Sequence, residues 1–201
     1  MTTHSHETDP PSRNHKEYYT ALYHAALTIS SSLVLDQVLQ SVVTSITEAM
    51  QVKACGLRLL DRSTGQMQSS AVYGLSGQYL AKGPVDIANS PIDNEVMKGT
   101  TVYIEDARTD PRFQYPEAAR REGLISVLCV PLEVRGEAIG VMRVYTDEPT
   151  EFNKDDIQFL SVLASLSALA IENARLYESV KNSYHGVVDA FWGTSINLDL
   201  S

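Results

Sequence analysis

Apolar positions along this chain recur with two periods, one helical and one strand-like, and the changes between them divide it into elements. From Tyr18 to Ile29, the residues Tyr18, Leu22, Ala25, Ala26 and Ile29 share one helical stripe. Leu39, Val42, Val43, Ile46 and Met50 form a second, with Asp36 placed to cap that helix. Residues 54–60, ACGLRLL, read as a strand, Asp61 to Gly65 as a turn, and Met67 to Tyr73 as the partner strand of a hairpin. Ser90-Pro91 with Asp93 marks a helix start, because Ser caps free amides and Pro fits the first turn, and Gly99 suits its stop. A short strand is predicted over Thr101 to Glu105 and a short charged helix over Glu117 to Arg121. The stretch ISVLCVPLEVRGEAIGVMRVY (125–145) sets two runs rich in β-branched residues around a polar break, Val134-Arg135-Gly136-Glu137, the signature of a second hairpin. The longest helix comes last, capped near Asn153 and running from Asp155 to about Ser183.

Hairpins joined by short helices do not fit alternating βαβ units, so the predicted class is α+β with a central, mostly antiparallel sheet. The strands of the second hairpin are apolar at nearly every position rather than alternating, so both sheet faces are expected to be covered. The first two helices and the last one lie outside the strand block and can cover one face as a bundle. The short helices and the 106–121 loop are left for the other, and a face covered by loops is where a cavity can form.

The chain has 201 residues, 43% hydrophobic and 20% charged, enough for one domain with a real core plus extensions. Its formal net charge of -9 argues against a partner bound by neutralising phosphates, so no nucleic acid is expected. The first residues hold no apolar segment of the secretory kind, and no run is read as long enough to span a bilayer, so the expectation is a cytoplasmic protein without membrane contact. Cys55 and Cys129 lie in apolar strands, where a reduced thiol acts as a small hydrophobe, and two cysteines exclude a disulfide framework. Residues 1–16 are read as a flexible tail, 17–183 as the domain and 184–201 as an extension; His4, His6 and His15 of the tail lack the spacing of a metal site.

Five segments, LLDRSTGQ, VYGLSG, TTVYIEDARTDPRF, GLISVLCVPLEVRGEAIGVMRVY and EFNKDDIQFLSVLASLSALAIENARLYE, occur in an order and spacing that resembles the GAF domain family from about Leu33 to Val180. The resemblance implies a sheet of about six antiparallel strands with helices on both sides, a regulatory module that binds small ligands or dimerises, usually without catalysis, and it places the second hairpin mid-sheet. Members that bind cyclic nucleotides carry an Asn-Lys-Phe-Asp-Glu set; here Lys154 and Asp156 can be aligned but the Phe and Asn partners do not fall in place. Bilin-binding members attach chromophore to a pocket Cys. The segment from Ser90 to Gly123 contains neither Cys nor His, so neither covalent bilin nor a haem ligand is expected and any cofactor stays unknown. The family's free methionine sulfoxide reductases need approaching thiols, whereas the matching loop, Ala107 to Leu124, has no Cys and Cys129 sits among apolar neighbours.

The candidate ligand wall is aromatic: Tyr73, Tyr79, Tyr103, Phe113 and Tyr115, with Arg112 able to close over a ligand and Ser126 and Tyr103 offering hydroxyls. The competing reading is that these rings close a core and Arg112 pairs with a surface acid. A void there larger than a water would mark a sensor, and a filled interior would leave a dimerisation scaffold. Arg58 and Arg143 stand in mid-strand, where each must snorkel, meet a carboxylate from a covering helix, or recognise an anion. In the last helix, Leu163, Leu166, Ala170, Asn173, Tyr177, Val180, Tyr184 and Val187 fall at spacings of three and four, a seam whose first half packs on the sheet and whose continuation suits a second chain. A parallel homodimer through Leu166, Ala170, Asn173, Tyr177 and Val180 is expected, with Asn173 fixing register and a separate output protein receiving the signal of an unidentified small molecule.

Overall fold

The computed structural model describes residues 15–31 and 34–192. Two helices, α1 (His15–Ser31) and α2 (Leu35–Met50), lead into β1 (Ala54–Asp61) and β2 (Gln66–Tyr73). A short α3 (Gly77–Leu80) and β3 (Val85–Asp86) precede α4 (Pro91–Val96), β4 (Val102–Ile104) and α5 (Pro116–Glu122). The central hairpin is β5 (Val127–Val134) and β6 (Glu137–Tyr145), and α6 (Lys154–Trp192) closes the described chain. The sheet runs β3-β2-β1-β6-β5-β4 with every pairing antiparallel, so the hairpin read from sequence does lie in its middle. Its turn holds Arg135 at φ 53 and Gly136 at φ 80, both left-handed, as a two-residue turn that follows the strand twist requires.

Both sheet faces are covered, as the continuous burial of β6 demands. On the first face, Leu39, Val43 and Ile46 of α2 and Leu160, Leu163 and Ala164 of α6 bury Leu128, Val130 and Leu132 of β5 and Ile139, Met142 and Val144 of β6. Here α1 docks on α6 through Tyr18, whose ring stacks on Phe159 at 4.0 Å and whose hydroxyl donates to Asp156 Oδ1 at 2.5 Å. The second face is closed by α3, α4, α5 and their loops, with Ile92, Val96, Phe113, Ala119 and Leu124 packed on Val127, Cys129, Val141 and Tyr145. Cys55 and Cys129 are both buried and belong to cores on opposite faces, so they cannot bond each other.

Five expectations change. Asp36 does not cap α2; Val34 occupies that position without a side-chain bond, and Asp36 sits exposed in the first turn, where its charge still favours the helix dipole. The last helix continues past Ser183 to Trp192, and its start is a reciprocal box, Asp156 N–H donating to Asn153 Oδ1 at 2.9 Å and Asn153 N–H to Asp156 Oδ2 at 3.0 Å. Residues 154–181 of α6 are long and apolar enough to cross a bilayer by length and composition, against the sequence reading, although Phe159, Leu160, Leu163, Ala168 and Ile171 pack in the first core. Both α3 and β3 were not read from sequence, being too short for any period to show. Finally His15 and Lys16, read as part of the tail, instead begin α1, and residues 1–14 with His4 and His6 and residues 193–201 of the extension lie outside the described residues.

Candidate functional site

Strand parity decides what meets the short helices. On β1 and β6 the residues facing the second layer include Gly56, Arg58, Val141, Arg143 and Tyr145, with Arg58 opposite Val141 and Gly56 opposite Arg143. The two guanidinium side chains therefore project diagonally side by side, and the absent side chain of Gly56 leaves room between them. Above them lies a cavity lined by Arg58, Arg143, Lys82, Asp93, Phe113 and Tyr115 among others. It leaves about 10 Å³ for the centre of a water-sized sphere, the space of one water. A second void of about 10 Å³ lies on the far side of the same two arginines, against Gly56, Ser69, Leu75, Leu80 and Tyr145.

Arg143 and Asp93 form the buried pair. Arg143 Nη2 donates to Asp93 Oδ1 at 2.5 Å, with the side chains 8% and 1% exposed. Asp93 is placed by the start of α4, where Ser90 accepts from the Asp93 amide at 3.4 Å and its hydroxyl donates to Asp93 Oδ2 at 2.6 Å. Burial is the largest influence on Arg143 and opposes its charge, but Asp93, Cys129, Tyr145 and Tyr79 together outweigh it and keep the guanidinium protonated. Arg143 Nε remains buried without a hydrogen-bond partner, as does Gln114 Oε1 in the same lining.

Two more cations complete the cluster. Among the described residues the Arg58 side chain makes no ion pair and no hydrogen bond. Lys82 Nζ meets no carboxylate either; it donates to the Tyr79 carbonyl at 3.1 Å and stands 3.8 Å over the Tyr79 ring. Burial first, and then the charges of Arg58 and Arg143, push Lys82 down to about 7. The nearby Glu122 is committed to Ser76, whose amide and hydroxyl both donate to it at 2.6 and 2.5 Å. The strap that carries Lys82 turns at Gly83, φ 127, and is latched where the Tyr115 hydroxyl donates to the Pro84 carbonyl at 2.6 Å.

Of the seven residues expected to wall or hold a ligand, the structure brings Tyr79, Phe113 and Tyr115 to this cavity and leaves four elsewhere. Tyr73 is exposed at the end of β2. Tyr103, on edge strand β4, donates to the Thr150 carbonyl at 3.1 Å and meets Phe152 edge-on. Arg112 is held by Asp110 in two bonds, Nη2 to Oδ2 at 2.7 Å and Nε to Oδ1 at 3.1 Å, the surface-acid pairing that competed with a ligand role. Ser126 is buried between the Glu105 carbonyl, to which it donates at 2.8 Å, and the Thr150 amide, from which it accepts at 3.0 Å. Lys82 and Gln114 were missed because they sit on irregular segments whose direction no period reveals. Along the expected dimer seam, Leu166 packs against the first core, Ala170 is half-buried, and Asn173, Tyr177 and Val180 are exposed. The side chain of Val187 lies outside the described residues.

A model of the GAF domain family matches residues 34–171, more than half of the chain, taking in the whole sheet, α2 to α5 and the first part of α6. This chain belongs to the GAF domain family. It is 27% identical over 169 residues to the nitrogen fixation protein VnfA of Azotobacter vinelandii, a match covering 80% of this chain and 32% of that protein. The chain thus spans about a third of that curated relative. Among solved structures it is similar to the GAF domain of a phosphoenolpyruvate-protein phosphotransferase from Coxiella burnetii, with a TM-score of 0.73 and 23% identity, covering 83% of this chain and 99% of that one. The free methionine-R-sulfoxide reductase of Neisseria meningitidis also shares the fold, with a TM-score of 0.69 and 20% identity over 83% of this chain and 96% of its own. GAF domains are typically sensory or regulatory modules, and within this one the second-face cavity is the place where charged side chains enter a closed layer.

Proposed function

We propose that this GAF domain is a non-catalytic sensory module, acting in the cytoplasm, that binds a small molecule between the second sheet face and the strap above it. The observation that carries the reading is chemical. A layer built only to close a core would be apolar, yet this one holds Arg58, Lys82, Arg143 and Asp93 and leaves two buried polar atoms without partners. The cavity as it stands admits one water, and this favours the second reading, a dimerisation scaffold with a filled interior. The two separate on native mass spectrometry of freshly purified protein and a thermal-shift screen of charged and neutral metabolites. A copurified mass or a saturable rise in Tm supports the sensor, and neither appearing leaves the scaffold.

The thiols speak against a reductase. Burial pushes the Cys129 thiol up to about 11 and the Cys55 thiol higher still, so neither offers a thiolate at neutral pH, and the two lie on opposite faces. A turnover assay on free methionine sulfoxide with a thiol reductant should show no activity above background.

For output, the module is read as a parallel homodimer signalling to a separate protein. Leu169, Leu176, Tyr177, Val180 and Tyr184 are exposed along α6, and Tyr19, Tyr23 and Leu27 along the neighbouring α1. This apolar surface runs on where the sheet no longer covers the helix, at the spacing of a coiled-coil seam. Light scattering at tens of micromolar should give a dimer, and Tyr177→Asp with Val180→Asp should give a monomer; a monomeric wild type removes the dimer from the reading.

A further inference from the structure

We propose that the ligand of the second-face cavity carries an oxyanion, a carboxylate or a phosphate, and that Arg58, Lys82 and Arg143 bind it. This rests on the reading of that cavity as a ligand site. The cavity lining contains two guanidinium groups, a lysine that an anion would hold protonated, and one carboxylate, and Asp93 neutralises Arg143 alone. Its other oxygen is occupied by Ser90, and Glu122 is turned away to Ser76. Arg58 and Lys82 are half-buried beside the buried pair, and positive charge gathered where water is scarce favours an anion to balance it.

The donors already converge. Arg143 Nε is buried, unpaired and part of the lining; Arg58 lies beside it on the next strand without a partner; Lys82 hangs from the strap above. Two guanidinium forks and an ammonium match the lone pairs of a planar or tetrahedral oxyanion, and Phe113 and Tyr115 give a flat apolar body a wall. Size sets a further condition. With room for one water, the cavity admits such a group only when the short strap 81–84 between α3 and β3 lifts, which Gly83 permits and the Tyr115 bond to Pro84 and the pairing of β3 with β2 restrain. Swinging Arg58 aside would also join the two small voids that it lines.

The test uses the full chain at constant ionic strength with inorganic phosphate, benzoate and the neutral isostere benzamide as probes, each to about 10 mM, read by thermal shift and calorimetry. Phosphate or benzoate should bind and benzamide should not. Binding of phosphate alone assigns a phosphate-bearing ligand, and of benzoate alone a carboxylate on an apolar body. Arg58→Gln and Lys82→Gln should each weaken binding about ten-fold or more, with Arg58→Lys intermediate. Arg143 is left unchanged because it holds Asp93, whereas Arg58 has no bonded partner to lose, and circular dichroism checks both variants. The proposal is overturned if benzamide binds as well as benzoate, if the Gln variants bind both anions as the wild type does, or if neither anion binds. A neutral metabolite found in the broader screen would sink the anion and leave the sensor standing.

Discussion

Asp93→Asn is the sharpest perturbation of this layer, because it changes one oxygen to an amide and leaves the volume nearly constant. The Arg143 guanidinium would then stay buried, 8% exposed, without its counterion. Breaking a buried pair from one side costs about 3–5 kcal/mol, a large share of the roughly 5–15 kcal/mol that stabilises a domain. In a chain of this size each kcal/mol moves Tm by about 2–4 °C, so the expected loss is about 6–20 °C. Urea and thermal unfolding followed by circular dichroism would measure it. Replacing both partners, Arg143→Met with Asp93→Leu, should cost much less than the sum of the single changes, since no charge is then left unpaired. Asp93→Asn should also free Arg143 for an added anion, so phosphate or benzoate should raise its Tm more than it raises the wild type's. A loss under about 1 kcal/mol would place the pair in water and refute the buried-charge account of the cavity.

Further outcomes follow from neighbouring contacts. Gly140→Ala would set a Cβ 2.2 Å from the Arg58 carbonyl oxygen and should cost several kcal/mol, about the upper range of single substitutions, read as a lower urea midpoint. Lys82 is held near 7 by burial and by Arg58 and Arg143, against the weaker opposing pull of Glu122 and Asp93. Its folded value lies below its unfolded one, so the folded chain binds fewer protons between the two and stability rises with pH from about 7 upward; Lys82→Met should remove that slope. Tyr18→Phe should keep the stack on Phe159 but lose the bond to Asp156, destabilising the chain by about 1–3 kcal/mol in the same urea titration. A thiol reagent at pH 8 should modify Cys129 no faster than the protein unfolds, and rapid stoichiometric labelling would contradict its burial.

The elements that sequence period revealed are those whose burial is regular. Leu39, Val43 and Ile46 recur on one helical face because α2 presents that face to the sheet, and the central hairpin is apolar throughout because two layers cover it. Ser90 and Pro91 were legible because capping is a local bond, made within three residues. The pocket wall was legible where the chain is anchored in the second core, at Tyr79, Phe113 and Tyr115. Tyr103 and Ser126 are of the residue types that line pockets, but Tyr103 sits on an edge strand and Ser126 at a strand entrance, and both spend their hydroxyls on the backbone around Thr150 or Glu105. Composition cannot separate a hydroxyl that closes a loop from one that faces a ligand, because each role uses the same donor.

The arginine cluster was hidden by a single residue. A two-residue turn at Arg135 and Gly136 fixes the start of the hairpin register, Val134 opposite Glu137 and Glu133 opposite Ala138. Continued without interruption, that register would set Arg143 opposite Leu128, on the face packed by α2 and α6. The register instead shifts between Leu132 and Glu133, so that Leu132 pairs with Gly140, Ile139 is the extra residue, and Arg143 falls opposite Cys129. One such slip moves every later side chain to the other face. It turns Arg143 toward Asp93 and Val141 and Tyr145 into the second core, and a similar shift between Leu57 and Arg58 disturbs the pairing of β1 with β2 beside it. Gly140 sits at the first pair beyond the slip, against the Arg58 carbonyl, where a side chain would force the strands apart. The bulge and its glycine are therefore what place two guanidinium groups beneath a thin layer of short helices. Moving Arg143 to the first face would set it among apolar side chains of α6 such as Leu160 and Leu163 and away from Asp93, so the cation site depends on this irregularity.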